Sequence, residues 1–204
     1  MNVIICLGSA PGAKDQLTAA LKQYPDAQVA TCNGGCWLLQ PEGFPDYYGL
    51  FEKEAIDQFL DEAKTLSEYG THIFSNHYGL REMGLTDDPI ATYVNYNLQY
   101  KAEARRGLYM TSGMMMLELM SRRNPDEILL AGYKGYSVEG IHDQGVAPCE
   151  KADERDSDWC KLMNESISYF MEAITIDHPN VKYRLLDKPL YDISRARVTP
   201  SHAQ

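Results

Sequence analysis

Apolar and polar positions follow two alternating patterns along the chain. Short runs that are almost wholly apolar, such as Val3–Leu7 and Glu127–Ala131, are typical of strands that are buried on both faces of a sheet. Between them lie longer segments in which apolar residues recur every three or four positions, as in helices that bury one side. The predicted strands are Val3–Leu7, 28–31, 71–75, Glu127–Ala131 and 181–186, and the predicted helices are Ala13–Gln23, 51–69, 111–120 and 158–175.

The alternation of strands and helices predicts the fold class. It indicates an α/β, Rossmann-like domain with a mainly parallel sheet and helices on both faces. We expect one domain over residues 1–190 and a loosely ordered tail over 191–204. Residues 40–50 hold two prolines and two glycines and are predicted to be a loop, while 37–39 are expected to continue the second strand after a bend.

Small and polar residues follow the predicted strands. Ligands of open parallel sheets bind beyond the carboxyl ends of the strands, so these residues are candidates for a binding site. Gly8 and Ser9 would approach a phosphate or a sugar through their backbone N–H groups, and Asn33 and Asn76 would bind a ribose or a base edge. Each has a structural alternative as an ordinary turn residue. The full set at strand ends is Gly8, Ser9, Asn33, Asn76, Tyr133 and Lys134.

The segment 111–120 predicts an apolar helix with an accessible start. Thr111 and Ser112 are good N-cap residues, and Gly113 leaves the backbone open to a ligand. A free helix N-terminus presents unpaired N–H groups and the positive end of the helix dipole, which suits a phosphate or a carboxylate. Ser112 and Gly113 are therefore candidate binding residues.

The composition of the chain indicates which classes of binding partner are expected. The formal net charge of −10 weighs against nucleic acid and anionic membranes as main partners, because both favour a basic surface. No apolar run approaches the roughly 20 residues of a membrane span, and the start of the chain does not read as a signal peptide. The chain has five cysteines, and this odd number favours reduced thiols and a cytoplasmic location. The Cys32-x3-Cys36 spacing lacks a matching second pair, so we predict no metal site.

The order of these loop residues resembles a known superfamily. The Gly8-Ser9 turn, Asn33, Asn76, the Ser112-Gly113 pair and the Gly132-Tyr133-Lys134 run resemble the bacterial sialyltransferases that use CMP-sialic acid. The resemblance to animal sialyltransferases and to the archaeal 6-hydroxymethylpterin diphosphokinase group is more distant. The resemblance to the bacterial sialyltransferases implies a glycosyltransferase that uses a CMP-sugar-like donor as a substrate and has no tightly bound cofactor. The family's Asp is replaced here by Lys134, and its catalytic His has no counterpart in 149–158.

Two histidines are candidates for the general base of such a transferase. His142 is the nearest to the position that the family uses, and His77, directly after Asn76, is the competing candidate. A residue that titrates near neutral pH suits the deprotonation of an acceptor hydroxyl. The basic cluster of Lys101, Arg105 and Arg106 would neutralise a diphosphate, although such clusters are usually a solvated helix face.

Two further functions stay open. A diphosphokinase of the pterin type would need Mg²⁺, held by Asp143, Asp153 or Glu154 and the substrate phosphates. A non-catalytic nucleotide-binding protein would keep the scaffold without the chemistry. In each case the expected partner is a small-molecule nucleotide or nucleotide-sugar. The tyrosine-rich region 93–109 is a candidate interface for a homo-oligomer, and the spacing of Tyr93, Tyr96 and Tyr100 predicts a helix there.

Overall fold

A computed structural model describes residues 1–40, 43–95, 107–138 and 157–200, and it confirms the predicted α/β class. The described strands form one parallel sheet of eight in the order β5-β4-β3-β2-β1-β6-β7-β8. They are β1 Val3–Leu7, β2 Gln28–Cys32, β3 Tyr47–Leu50, β4 His72–Ser75, β5 Ala91–Tyr93, β6 Glu127–Ala131, β7 Lys182–Leu185 and β8 Val198–Pro200. The helices are α1 Ala13–Gln23, α2 Lys53–Glu68, α3 His77–Met83, α4 Ser112–Ser121 and α5 Ser157–Asp177, with a 3₁₀ helix at Asn33–Leu39.

Helices cover both faces of the sheet, as its apolar strands predicted. All five residues of β1 are buried, and alternate side chains point to opposite faces. Ile5 and Leu7 pack with α1, whereas Ile4 and Cys6 pack with α4 and α5. Tyr48 lies on the α1 side by its register with β2, and α2 and α3 pack there.

The helix α4 is buried on nearly all sides. Met114, Met115, Met116, Leu117 and Met120 are each at most 1% exposed. A helix with no polar face requires apolar neighbours all round, and here the sheet lies on one side and α5 on another. The apolar helix predicted at 111–120 is therefore confirmed, and its amino end is fixed against the centre of the sheet.

The order of the strands reverses between β1 and β6, which lie side by side. The loop after β1 leads to α1 on one face, and the loop after β6 leads toward α5 on the other. We call residues 8–12 the Gly8 loop and residues 132–136 the Gly132 loop. Loops that diverge in this way open a crevice, which is the usual ligand site of such sheets.

The two loops touch through their backbones at the base of this crevice. The Gly8 N–H donates to the Ala131 carbonyl at 2.8 Å, and the Ala10 N–H donates to the Gly132 carbonyl at 3.3 Å. A Cβ on Gly8 would lie only 2.4 Å from the Gly132 carbonyl oxygen. Gly132 also has a φ of +69°, a conformation that favours glycine. Both glycines are thus required by close packing, whatever else they do.

The segment predicted as a loop over 40–50 contains a central strand. Residues 47–50 form β3, which pairs with β2 on one side and β4 on the other. This strand has only four residues, and its sequence Tyr-Tyr-Gly-Leu directly follows a stretch rich in proline and glycine. The nearby prolines and glycines led to the prediction of a loop, although the four residues are apolar. Residues 37–39, expected to continue β2, belong instead to the 3₁₀ helix.

Two other expectations fail near the edges of the sheet. Tyr93 ends the strand β5 and does not belong to a helix; Tyr96 and Tyr100 lie outside the described residues. The region expected to be a loose tail contributes the edge strand β8, which pairs with β7. A three-residue strand is too short to show a period, and Pro200 is tolerated because an edge strand needs no second partner.

Within the described ranges, no helix combines the length and the apolar character that crossing a membrane requires.

We expect Gly8→Ala to lower the free energy of unfolding, because the added methyl group would force the Gly8 and Gly132 loops apart. Overpacking of this kind costs about 1–3 kcal/mol. Gly43→Ala is the matched control, since a Cβ there meets no atom within 4 Å. Urea unfolding of both variants checks this, and equal midpoints for Gly8→Ala and Gly43→Ala would contradict it.

Candidate functional site

A cavity of about 550 Å³ lies at the carboxyl ends of β1, β2 and β6, beside the amino end of α4. This is the crevice at which the strand order reverses. Six of the predicted binding residues line it together: Gly8, Ser9, Asn33, Ser112, Gly113 and Tyr133. They come from four separate segments of the chain, so the fold alone brings them together.

The amino end of α4 opens into this cavity. Thr111 is the N-cap, and its side-chain oxygen accepts a hydrogen bond from the Met114 N–H at 3.3 Å. Ser112 and Gly113 are the first residues of the helix, where backbone N–H groups have no acceptor within the helix. Ser112 itself is buried, with 7% of its surface exposed. The helix dipole adds a partial positive charge at the same point.

Asn33 is held in an uncommon conformation at the end of β2. Its φ is +50°, and its carbonyl accepts a hydrogen bond from the buried Tyr48 hydroxyl at 2.8 Å. The side-chain nitrogen lies 3.4 Å from the Ser112 hydroxyl, while the side-chain oxygen is buried and has no partner. Turning the amide over would pair the oxygen with Ser112 and leave the nitrogen unpaired. One polar end of Asn33 therefore lacks a protein partner in either orientation of the amide.

Tyr133, in the Gly132 loop, contacts both α4 and the Gly8 loop at the cavity. Its hydroxyl donates to the Gly113 carbonyl at 2.9 Å, and a Cβ on Gly8 would lie 3.3 Å from its ring. Burial raises the pKa of the Tyr133 hydroxyl well above its usual value, so the group stays protonated near neutral pH. The hydroxyl proton is already donated to Gly113, so we assign Tyr133 a structural role: it holds α4 in place relative to the Gly8 loop.

One wall of the cavity is acidic and was not predicted. Glu52, Glu54 and Gln58 line it from the start of α2, with Glu52 partly buried and the other two exposed. The prediction treated this stretch only as a helix, because β3 went unrecognised. Had 47–50 been read as a strand, Glu52 would have stood at a strand end like the other candidates.

The opposite wall is aromatic and apolar. The rings of Tyr136 and Trp159 meet edge to face, with centroids 4.9 Å apart and planes at 81°. Leu162, Met163 and Ile167 of α5 continue this wall. The sequence analysis counted the α5 residues as the buried side of an amphipathic helix, which is the usual meaning of such spacing. No local signal separates the residues that face the cavity from those that face the core.

Asn76 and His77 do not line the cavity. The Asn76 side chain caps α3, accepting from the Gly79 N–H at 2.9 Å, and it also donates to the Phe51 carbonyl at 2.7 Å. The His77 ring packs near Tyr93, with centroids 6.3 Å apart. Both follow β4, which β3 separates from β2. The expectation that Asn33 and Asn76 share one site assumed that their strands were neighbours.

The remaining predicted residues are placed elsewhere or are not described. Lys134 does not line the cavity, and its carbonyl accepts from the Leu190 N–H at 2.8 Å. His142 lies outside the described residues. The same holds for Lys101, Arg105, Arg106, Asp143, Asp153 and Glu154.

The described cysteines are free thiols. Cys32 lines the cavity, and burial raises its pKa to about 12. Burial likewise raises the pKa of Cys36 to about 11. Among the residues that the structure describes, no group of three or more His, Cys, Asp or Glu side chains is arranged to hold a metal ion.

Comparison with known proteins identifies the fold. No protein-family model matches the chain, and no curated protein sequence does. Among solved structures, it is similar to the MAf glycosyltransferase from Magnetospirillum magneticum AMB-1, with a TM-score of 0.57 at 12% sequence identity. The similarity covers 98% of this chain and 33% of that protein, so the chain spans about one third of its length. This similarity shows that the chain shares an α/β fold with part of that protein.

We expect Cys32 to resist iodoacetamide at pH 8 in the folded protein. With a pKa of about 12, only roughly 10⁻⁴ of the thiol is in its reactive thiolate form, compared with about a quarter of an unperturbed thiol. Peptide mass spectrometry should show alkylation that is at least ~100-fold slower than in urea. Equal rates in the two conditions would mean that the pKa of the Cys32 thiol is not raised.

Proposed function

We propose that the chain is a glycosyltransferase that binds a nucleotide-sugar in this cavity and transfers the sugar to an acceptor hydroxyl. The observation that carries the proposal is that the amino end of α4 and the Gly8 loop open into one cavity where the strand order reverses. The glycosyltransferase-like fold supports it, as does the resemblance of the loop residues to sialyltransferases. On that resemblance, the donor is of the CMP-sugar type.

In this proposal the donor phosphate lies at the start of α4. The N–H groups of Ser112 and Gly113, with the positive end of the helix dipole, stabilise the negative charge that grows on the leaving nucleotide. Glu52 and Glu54 line the same cavity and make each further negative charge on a ligand less favourable. A phosphodiester, which has a single negative charge, therefore suits the described residues better than a diphosphate.

Asn33 binds the nucleoside in this arrangement. One end of its amide lies next to Ser112, and hence beside the proposed phosphate position, while the other end has no protein partner. A ribose hydroxyl both donates and accepts hydrogen bonds, so it satisfies Asn33 in either orientation of the amide. Burying an unpaired amide is costly, and the ligand removes that cost.

For the general base we propose His142. His77 packs beside Tyr93, away from the cavity, which argues against the competing candidate. An imidazole near its ordinary pKa would accept the proton of the acceptor hydroxyl at neutral pH.

A thermal-shift screen tests the donor class directly. We expect CMP or a CMP-sugar to raise the melting temperature without Mg²⁺, because a ligand that binds only the folded state stabilises it. The screen should also include CDP, UDP, GDP, ATP and their sugar conjugates, each with and without Mg²⁺. A shift with ATP and Mg²⁺ alone would favour the diphosphokinase alternative. The absence of any shift would reject the nucleotide site.

Asn33→Gly should weaken nucleotide binding about 5–10-fold, the equivalent of one lost hydrogen bond of about 1 kcal/mol. Glycine keeps the left-handed backbone that Asn33 adopts, so folding is preserved. Asn124→Gly is the matched control, since Asn124 has a φ of +51° and lies outside the cavity. Isothermal titration calorimetry measures both, and equal affinities in the two variants would count against this role of Asn33.

His142→Ala should lower the rate of donor hydrolysis and transfer by roughly 10²–10⁴-fold, the usual contribution of a general base. The affinity for the nucleotide should stay the same, because the residue acts on the acceptor. His77→Ala serves as the control and should leave the rate unchanged. An unimpaired His142→Ala enzyme would show that another group accepts the proton.

A further inference from the structure

We propose that Tyr136 and Trp159 form a ring-binding subsite at one end of the cavity, and that Asn164 is the positioning residue that holds it in shape. The subsite takes a ring with a flat apolar face, either the nucleobase or the C–H face of a sugar. This rests on the proposed function, because it names the part of the ligand that the same cavity holds beside the phosphate.

The arrangement of the two rings is suited to such a ligand. They meet edge to face at 4.9 Å, and both side chains remain partly exposed at the cavity. Stacking of a nucleobase on an aromatic side chain contributes about 1–3 kcal/mol, and aromatic rings attract C–H groups through their negative faces.

Asn164 fixes the backbone at Tyr136 with both ends of its amide. Its side-chain oxygen accepts from the Tyr136 N–H at 2.8 Å, and its side-chain nitrogen donates to the Tyr136 carbonyl at 2.9 Å. One side chain thus binds both polar groups of one residue, as a neighbouring strand would. Asn164 lies on α5 with Trp159, so it ties the loop that bears one ring to the helix that bears the other.

Gly135 makes this contact sterically feasible. Its φ is +98°, and a Cβ there would lie 2.6 Å from the Asn164 side-chain oxygen and 2.9 Å from the Tyr191 ring. A residue with a side chain would displace the amide and change the direction in which Tyr136 leaves the loop. The glycine is therefore needed for the orientation of the Tyr136 ring.

The C-terminal segment fixes the same loop from the other side. The Tyr191 hydroxyl donates to the Tyr133 carbonyl at 2.7 Å, and the Leu190 N–H donates to the Lys134 carbonyl at 2.8 Å. With the Asn164 contacts, the backbone of the Gly132 loop is bound at Tyr133, Lys134 and Tyr136. A wall that is already ordered loses little entropy when a ligand binds, which favours affinity.

The position of the wall indicates which part of the ligand it meets. The polar residues Asn33 and Glu52 lie at the β2 end of the cavity, and the aromatic pair lies beyond β6. The start of α4 lies between them, bonded to Asn33 through Ser112 and to the Gly132 loop through Tyr133. A phosphate at α4 therefore separates the ligand into one group at the polar end and one at the aromatic end.

Trp159 fluorescence tests the subsite. The chain has two tryptophans, so Trp37→Phe leaves Trp159 as the single emitter. We would titrate this variant with the four ribonucleosides in one arm and with N-acetylneuraminic acid, galactose, glucose and N-acetylglucosamine at millimolar concentrations in the other. A saturable change in emission in the nucleoside arm assigns the subsite to the base, and one in the sugar arm assigns it to the sugar. The absence of a saturable change in both arms would overturn the proposal.

Variants separate the ring from its support. In the Trp37→Phe background, Tyr136→Leu removes one ring and retains the Asn164 contacts, because these use only the backbone. It should weaken the response at least ~5-fold, corresponding to about 1 kcal/mol of stacking. Asn164→Ala should weaken binding similarly and increase the mobility of the loop, whereas Glu165→Ala, an exposed neighbour on α5, should not. Equal affinities for Asn164→Ala and Glu165→Ala would reject the positioning role.

The failure of the ring-binding subsite and the failure of the proposed donor would give different results. Ribonucleosides and free sugars carry no phosphate, so they can report binding at the aromatic wall even when no nucleotide shifts the melting temperature. That result would keep the subsite and reject the donor. Conversely, nucleotide binding that leaves Trp159 emission unchanged and is unaffected by Tyr136→Leu would keep the donor and reject the subsite.

Discussion

The close approach of Gly8 and Gly132 is the contact on which the site depends. Two loops that leave neighbouring strands toward opposite faces meet there through backbone atoms alone, with no room for a side chain. The Tyr133 ring lies against Gly8, and its hydroxyl binds the Gly113 carbonyl of α4. The glycine pair thus brings the Gly8 loop, Tyr133 and the amino end of α4 into one continuous set of contacts around the cavity.

The parts of the fold that local pattern determines could be predicted from the sequence. β1, β6 and α4 are apolar because they are covered on all sides, and each was predicted at nearly its observed bounds. β3 was missed because it has only four residues, which are too few to show the alternating pattern of a strand, and because it follows a proline-rich stretch. That single omission displaced Asn76 and His77, since it made β4 the expected neighbour of β2.

The walls of the cavity are harder to predict, because distant contacts create them. Asn164 binds Tyr136 across 28 positions, and Tyr191 binds Tyr133 across 58. The sequence pattern placed Trp159 on the buried side of a helix and Tyr191 in a loosely ordered tail. The sequence does place candidate binding residues at strand ends and at one helix start, and six of them line the cavity together: Gly8, Ser9, Asn33, Ser112, Gly113 and Tyr133.

The pairing of β1 with β6 also governs how the molecule assembles. Val3 lies opposite Glu127, so β1 gains its second neighbour only after more than a hundred further residues have been made. Contacts between such distant segments form slowly, and until then one edge of β1 stays unpaired. The cavity spans this junction, so the ligand site is complete only once β6 has paired with β1.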